Sequence, residues 1–274
     1  MTYFDAELHP VTLRRGDLGD LSFFGVAGAL AAAGDAVVPV TAEALRRAWD
    51  ALAPGALRRL RRSGIAGYAA VGLHPRRIPW RGLEALFAEL PDYLGRRHVL
   101  AVGAIGLEEG GPREEAIFVR QLELARELRR PVVVHTPRRD KERITRRVLA
   151  LLREHELEPA RVLVQRADAR TVKMIRACGY AAGLSLFAGA GDALSEAVRL
   201  VASLGPDGIA LGSGAGEGAG DLLALPRAAG RLAKAGLSPA VIRRVCGANA
   251  LALLGLSPEQ ARASSAPSGR PSSR

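Results

Sequence analysis

The sequence predicts a single (β/α)8 TIM-barrel-like domain, regular or distorted, on three observations. Eight short apolar runs recur along the chain, and amphipathic segments separate them almost throughout. The third is length: 274 residues suit one such barrel of about 250 residues.

The candidate strands, in order, are Tyr3–Asp5, Phe23–Val26, Ala66–Gly72, Val99–Ile105, Val132–His135, Val162–Val164, Ala181–Leu186 and Ile209–Gly212. Several are apolar without alternation, the pattern of parallel strands buried on both faces. Arg113–Arg129 is the clearest helix. Phe118, Gln121, Leu122, Ala125 and Leu128 share one face, Glu114 and Glu115 open it, and Arg126, Arg129 and Arg130 close it. Asp140–His155 carries a second stripe in Ile144, Val148, Leu151 and Leu152. Ser238-Pro239 supplies an N-cap and a first-turn proline for a helix through Val245, and Ser257-Pro258 opens a last short turn. Regular β–α alternation implies a mostly parallel sheet, and eight repeats favour closure. A doubly wound open sheet is the competing architecture, but no G-x-G-x-x-G follows the first strand. The barrel is expected over residues 1–257, and the Ser/Pro/Gly/Arg-rich stretch 258–274 is expected to be disordered.

Composition narrows the function classes. The net charge of +11 could attract nucleic acid or an anionic surface. The charge is spread, however, in arginine pairs such as Arg46-Arg47, Arg58-Arg59 and Arg146-Arg147, where helix surfaces are expected. High Arg, Ala and Gly together fit a bias toward GC-rich codons. Cys178 and Cys246 form no CxxC or Cys/His cluster, so a zinc finger and a disulfide framework are unsupported, and both read as small core residues within helices. The start, Met1-Thr2-Tyr3-Phe4-Asp5, lacks the basic and apolar regions of a signal peptide. The longest apolar stretch, Phe23 to Val40, is interrupted by Gly34, Asp35 and Pro39. A soluble cytoplasmic protein is the expectation.

In a parallel barrel, chemistry lies at the C-terminal strand ends. Glu7 and His9 follow the first strand, His74 the third, Glu108 the fourth, His135 the fifth, Gln165 and Arg166 the sixth, and Glu217 the eighth. Residues i and i+2 point the same way on a strand. Glu7 and His9 can therefore converge on one divalent cation, with His135 across the barrel mouth. His74, before a proline, reads as a loop residue shaping the rim. His98 and His155 read as surface or helix-end residues.

The motifs Phe4-Asp5-x-x-x-His9, Gly72-Leu73-His74-Pro75, Ala101-Val102-Gly103-x-Ile105-Gly106-Leu107, Gln121-Leu122-x-Leu124-Ala125-x-x-Leu128 and Pro131-Val132-Val133-Val134-His135-Thr136-Pro137 occur in that order. Together they resemble the TatD-related metal-dependent hydrolases of the amidohydrolase superfamily, particularly an archaeal-type branch. The resemblance spans Tyr3 to Leu256, with Asn249 fitting the C-terminal segment. It implies one or two divalent metals held by an H-x-H pair on strand 1, a Glu on strand 4, a His on each of strands 5 and 6, and an Asp on strand 8. Carried over by position, the first His is Glu7 and the second is His9. The strand-4 Glu is Ala104, His135 is kept, the strand-6 His is Arg166, and the strand-8 Asp is Gly216 beside Glu217.

Three readings follow. In the first, a reduced mononuclear site of Glu7, His9 and His135 holds Zn, Mn, Ni or Fe, with Glu217 or Glu108 as base for an ester, phosphodiester or amide hydrolysis. In the second, the site is dead and holds no metal, and a basic pocket including His74, Arg138, Arg139 and Arg166 binds a small anionic ligand or a partner protein. In the third, surface charge binds nucleic acid, with the steep salt dependence such binding shows. No membrane partner is expected.

Overall fold

The computed structural model describes residues 1–32, 41–187, 192–218 and 220–259. In chain order the first half holds β1 (Tyr3–Leu8), α1 (Arg15–Phe23), β2 (Val26–Ala32), α2 (Ala42–Asp50), α3 (Leu57–Arg62), β3 (Ala66–Val71), α4 (Leu83–Leu94), β4 (Val99–Gly106) and α5 (Pro112–Glu127). The second half holds β5 (Val132–His135), α6 (Lys141–Glu154), β6 (Val162–Gln165), α7 (Val172–Ala177), β7 (Ala181–Ser185), α8 (Ala193–Leu204), β8 (Ile209–Gly212), α9 (Ala224–Lys234), α10 (Pro239–Arg243) and α11 (Asn249–Leu253).

The eight strands pair in parallel in the order β1 to β8. The two ends meet at the mouth. Gly214 N–H donates to the Glu7 carbonyl, His9 N–H donates to the Ala215 carbonyl, both at 2.9 Å, and Leu8 bridges Ala215. The result is the eight-stranded, nearly closed barrel surrounded by helices that the alternation predicts.

One strand differs from its expected position. The sequence reading places the second strand at Phe23–Val26, but β2 runs from Val26 to Ala32, and Phe23 ends α1 with 84% of its surface exposed. Gly25, at φ 94°, turns the chain between helix and strand. The strand proper is the small-residue run Val26-Ala-Gly-Ala-Leu-Ala-Ala32. Glycine is needed at position 28 because it faces the Phe4 ring, where a Cβ would lie 2.7 Å from a ring carbon. β1 also continues past Asp5 to Leu8.

Two apolar cores result. Between strands and helices lie Leu18, Trp49, Leu86, Phe118, Val148 and many others. Inside the barrel lie Phe4, Leu30, Tyr68, Val133 and Leu163, with Leu251 and Leu254 packed against them. Asn249 ties this last segment down, donating to the carbonyls of Pro206 at 2.7 Å and Ile209 at 2.6 Å. Ser238 caps α10 as expected, accepting from Val241 N–H at 3.4 Å, but the α-helix ends at Arg243 rather than Val245. A wider turn over Arg244–Ala248 follows and buries Cys246. Cys178 lies at the C-terminal cap of α7, half-buried and packed against the outer core. Residues 260–274, most of the stretch expected to be disordered, lie outside the described residues.

Gln121 on α5 joins the helix layer to the mouth. Its Oε1 accepts from Leu73 N–H at 2.7 Å, and its Nε2 donates to the carbonyls of Leu73 and Ile117, both at 3.3 Å. Leu73 leads directly into His74. Gln121→Leu fills similar volume but strands a buried donor and acceptor. It is expected to cost about 1–3 kcal/mol of stability, read as a lowered urea midpoint at unchanged m-value.

Candidate functional site

The mouth is organised by short polar contacts at the strand ends. Asp5 is fully buried in β1, and its Oδ1 accepts from Glu7 N–H at 3.0 Å and Ser213 N–H at 2.9 Å. Burial pushes its carboxyl up to about 6 against the lowering effect of those bonds. Between Asp5 and Leu8 the pairing of β1 with β2 loses register. Irregularities of this kind re-aim side chains. Within this stretch Glu7 meets Arg166, and just beyond it the chain reaches His9.

Arg166 follows β6 with φ at 59°, the left-handed region that non-glycine residues rarely adopt. The Thr136 hydroxyl anchors this bend, lying 3.0 Å from the carbonyls of both Gln165 and Arg166. Gln165 Nε2 donates to the Ala6 carbonyl at 2.7 Å, tying β6 across to β1. So held, Arg166 donates through Nε to Glu7 Oε1 at 2.9 Å and through Nη2 to Glu217 Oε2. His9 Nε2 lies 3.4 Å from Glu217 Oε2 and 3.7 Å from Glu7 Oε1.

Burial disfavours ionisation of Glu7, but Arg166, His9 and the Ser185 hydroxyl outweigh it and hold the carboxyl well below its ordinary range. For His9, burial opposes protonation and is overcome by Glu7 and Glu217, so its pKa rises. Arg166 loses solvation on burial, yet its two carboxylate partners raise its pKa further.

A second cluster occupies the β3–β5 side. His135 Nε2 and Glu108 Oε2 are 3.0 Å apart, and the rings of His74 and His135 stand 4.4 Å apart at 56°. His74 Nδ1 accepts from Arg76 N–H at 3.2 Å. Burial first, then the charges of His135, Arg166, Arg76 and Arg77, drive His74 well below the ordinary histidine value, so the ring is neutral. Burial opposes the ionisation of Glu108, but the His135 contact and charge keep its pKa low. A cavity of about 650 Å³ opens beside this cluster, and Arg76, Arg138 and Arg139 share its lining with Glu108, Glu109, Glu114 and Asp140.

The expected residues thus divide into two groups. Glu7, His9, Glu217 and Arg166 come together. His135 pairs instead with Glu108 and His74, and Arg138 lines the adjoining cavity. Ala104 lies at a register irregularity between β4 and β5 and offers no ligand atom. Gly216 carries φ 89°, and a Cβ there would collide with the His9 carbonyl, so no side chain fits. Sequence reasoning missed Ser185, Thr136 and the bracing role of Asp5. It also missed Lys141, at the start of α6, whose ammonium lies 3.9 Å from Asp168 and whose pKa burial depresses. A hydroxyl after a strand-end histidine and a lysine opening a helix are common features, and neither carries a distinctive pattern.

Among the described residues, Glu7, His9 and Glu217 form a group able to approach a metal, with donor atoms all within 4.8 Å of one another. Both His9 ring nitrogens are buried without a hydrogen-bond partner, which leaves one open to an ion but gives the other none of the N–H acceptors that orient a ligating histidine. The carboxylates do not fit a divalent ion as arranged, because Arg166 holds both of them. At an effective dielectric of about 20, a charge pair at about 4 Å is worth about 4 kcal/mol per unit charge, and a guanidinium sets that against an incoming cation. The cluster is a sparse, three-residue remnant on a hydrolase-type barrel.

Residues 32–207 match the family model described as TatD related DNase. An uncharacterised metal-dependent hydrolase of Methanocaldococcus jannaschii is 28% identical over 223 residues, covering 81% of this chain and 88% of the relative. The crystal structure of a TatD-like protein from Archaeoglobus fulgidus superposes with a TM-score of 0.79 at 26% identity, covering 93% of this chain and 100% of that one. A TatD homologue from Escherichia coli K12 superposes with a TM-score of 0.64 at 20% identity, covering 93% and 98%, and speaks for the fold alone.

Proposed function

This chain belongs to the TatD-related DNase family of the amidohydrolase superfamily, and from that premise we propose that it has exchanged metal-dependent hydrolysis for ligand binding. The carrying observation is Arg166, bonded to Glu7 and Glu217 together. A permanent cation stands where the family's chemistry calls for a metal, and it neutralises the carboxylates that would hold one. Glu217 is thereby withdrawn as a base, and Glu108 is committed to His135.

The ligand we propose is a small anion in the adjoining mouth cavity, met by Arg76, Arg138 and Arg139; of the four carboxylates that share the lining, Glu108 is committed to His135 and Glu114 to the backbone N–H groups of Glu108, Glu109 and Gly110. Arg166 does not itself receive the anion in this reading, because its guanidinium is spent on the two carboxylates. Nucleic acid is the second candidate partner, favoured by the family description and the net charge of +11. No helix among the described residues is long and apolar enough to cross a membrane. A cytoplasmic location completes the proposal.

Two measurements test it. Elemental analysis of the purified protein is expected to find no stoichiometric Zn, Mn, Ni or Fe. Hydrolysis of bis(p-nitrophenyl) phosphate is expected to stay at the buffer rate when each of these metals is added. Stoichiometric metal or robust metal-dependent turnover would restore the hydrolase reading, with Glu7, His9 and His135 as ligands and Glu217 or Glu108 as base.

A further inference from the structure

A second cavity, of about 560 Å³, lies at the opposite end of the barrel, where α2, α3 and the turn into β4 come together. Small-molecule sites commonly fall within about 300–1,000 Å³. Pro54, Leu57 and Val99 give it apolar walls, and Arg58, Arg61, Arg96 and Arg97 surround them.

The charges do not balance. Asp50 is the one carboxylate in the lining, and it is already engaged. Its Oδ1 accepts from the Tyr93 hydroxyl at 3.0 Å and from Arg96 at 3.3 Å. Arg96 also donates to the Ala53 carbonyl at 2.5 Å and stacks 3.9 Å over the Tyr93 ring, so that pair is closed. Arg58, Arg61 and Arg97 have no carboxylate within 4.0 Å among the described residues.

Arg61 Nη2 instead lies 2.6 Å from His98 Nε2. Burial, then Arg61 and Arg97, push the His98 pKa down. A neutral His98 accepting at Nε2 fixes Arg61 in the wall but contributes no negative charge. The C-terminus of α3 offsets Arg61, which lies in its last turn, but that effect fades within one turn and does nothing for Arg58.

We infer that this cavity is a binding site for a small phosphomonoester with an apolar body. Planar guanidinium groups from α3 and from the turn into β4 suit the several oxygens of a phosphate. The walls of Pro54, Leu57 and Val99 suit a ring or hydrocarbon portion. The inference is independent of the mouth, since none of these residues lines the cavity there.

The test is calorimetric titration of the full chain with phenyl phosphate, benzoate, phenol and inorganic phosphate at one fixed salt concentration. Phenyl phosphate is expected to bind more tightly than the other three. Arg58→Gln and Arg97→Gln are each expected to weaken it about tenfold or more. Arg199→Gln, at an exposed arginine of α8 that lines neither cavity, is expected to leave it unchanged. The exposed Arg58 and Arg97 variants are expected to melt with the wild type, which separates lost binding from lost folding. Several results overturn the inference: no binding of phenyl phosphate, equal binding of phenol or benzoate, inorganic phosphate matching phenyl phosphate, or binding that responds to Arg199→Gln but not to Arg58→Gln or Arg97→Gln.

Discussion

Replacing Arg166 with methionine is expected to lower the free energy of unfolding by about 3–5 kcal/mol at neutral pH, read by urea denaturation. Methionine keeps most of the apolar stem and removes the guanidinium. The side chains of Glu7 and Glu217 are only 4% and 9% exposed, so two carboxylates would remain buried near each other with His9 as their nearest cationic partner. Breaking a buried ion pair from one side costs far more than the pair is worth when intact, because the orphaned charge has neither water nor partner. Arg166→Lys is expected to recover only part of the loss, since a single ammonium cannot reproduce the two-pronged geometry.

The same variant separates the two readings of the site. With the guanidinium gone, Glu7, His9 and Glu217 become an accessible cation site. Zinc is then expected to raise the stability of Arg166→Met, by about 2.7 kcal/mol at one hundred times its dissociation constant, and to leave the wild type unmoved. A wild type stabilised by zinc to the same extent would show that Arg166 does not exclude the metal. An Arg166→Met protein as stable as its parent would show that the guanidinium does not balance the two carboxylates.

Trp49→Ala is the second large effect, expected at about 3–5 kcal/mol. The Trp49 side chain is fully buried on α2, with its ring 5.0 Å from Tyr93 in an edge-on arrangement. Its indole N–H donates to the Gly72 carbonyl at 3.2 Å. Truncation opens a cavity in the helix layer and leaves that carbonyl unpaired. Trp49→Phe isolates the second part and is expected to cost less, about 1–3 kcal/mol. Gly72 precedes Leu73 and His74, so the Ala variant is also expected to loosen the tilted His74–His135 ring contact, visible as broadened imidazole resonances. If Ala and Phe variants unfold at the same urea concentration, the cavity contributes nothing and the packing argument fails.

Much of the fold was legible before any coordinates. Short, unalternated, valine-rich runs such as Val132–His135 and Val162–Val164 read as strands buried on both faces, and the amphipathic stripe of Phe118, Leu122 and Ala125 reads as a helix that covers them from outside. The second strand was not legible, because Phe23 and Phe24 have high strand propensity while Ala27–Ala32 carries little signal of any kind. What selects glycine at position 28 is the Phe4 ring, a contact between strands that no local pattern records.

The site divides along the same line. The sequence carries, at the positions that the family resemblance pairs with metal ligands, no side-chain donor at Ala104 or Gly216 and a cation wherever Arg166 points. It also placed Glu7, His9, His74, Glu108, His135 and Glu217 near strand ends, since strand ends follow from periodicity. Tertiary structure alone decided their grouping. The broken register of β1, the left-handed bend at Arg166 and the Thr136 hydroxyl that braces it bring Arg166 between Glu7 and Glu217, while His135 turns to Glu108. Pairing of this kind depends on ångström-scale distances between residues far apart in the chain, and those distances are set by barrel closure rather than by composition or spacing.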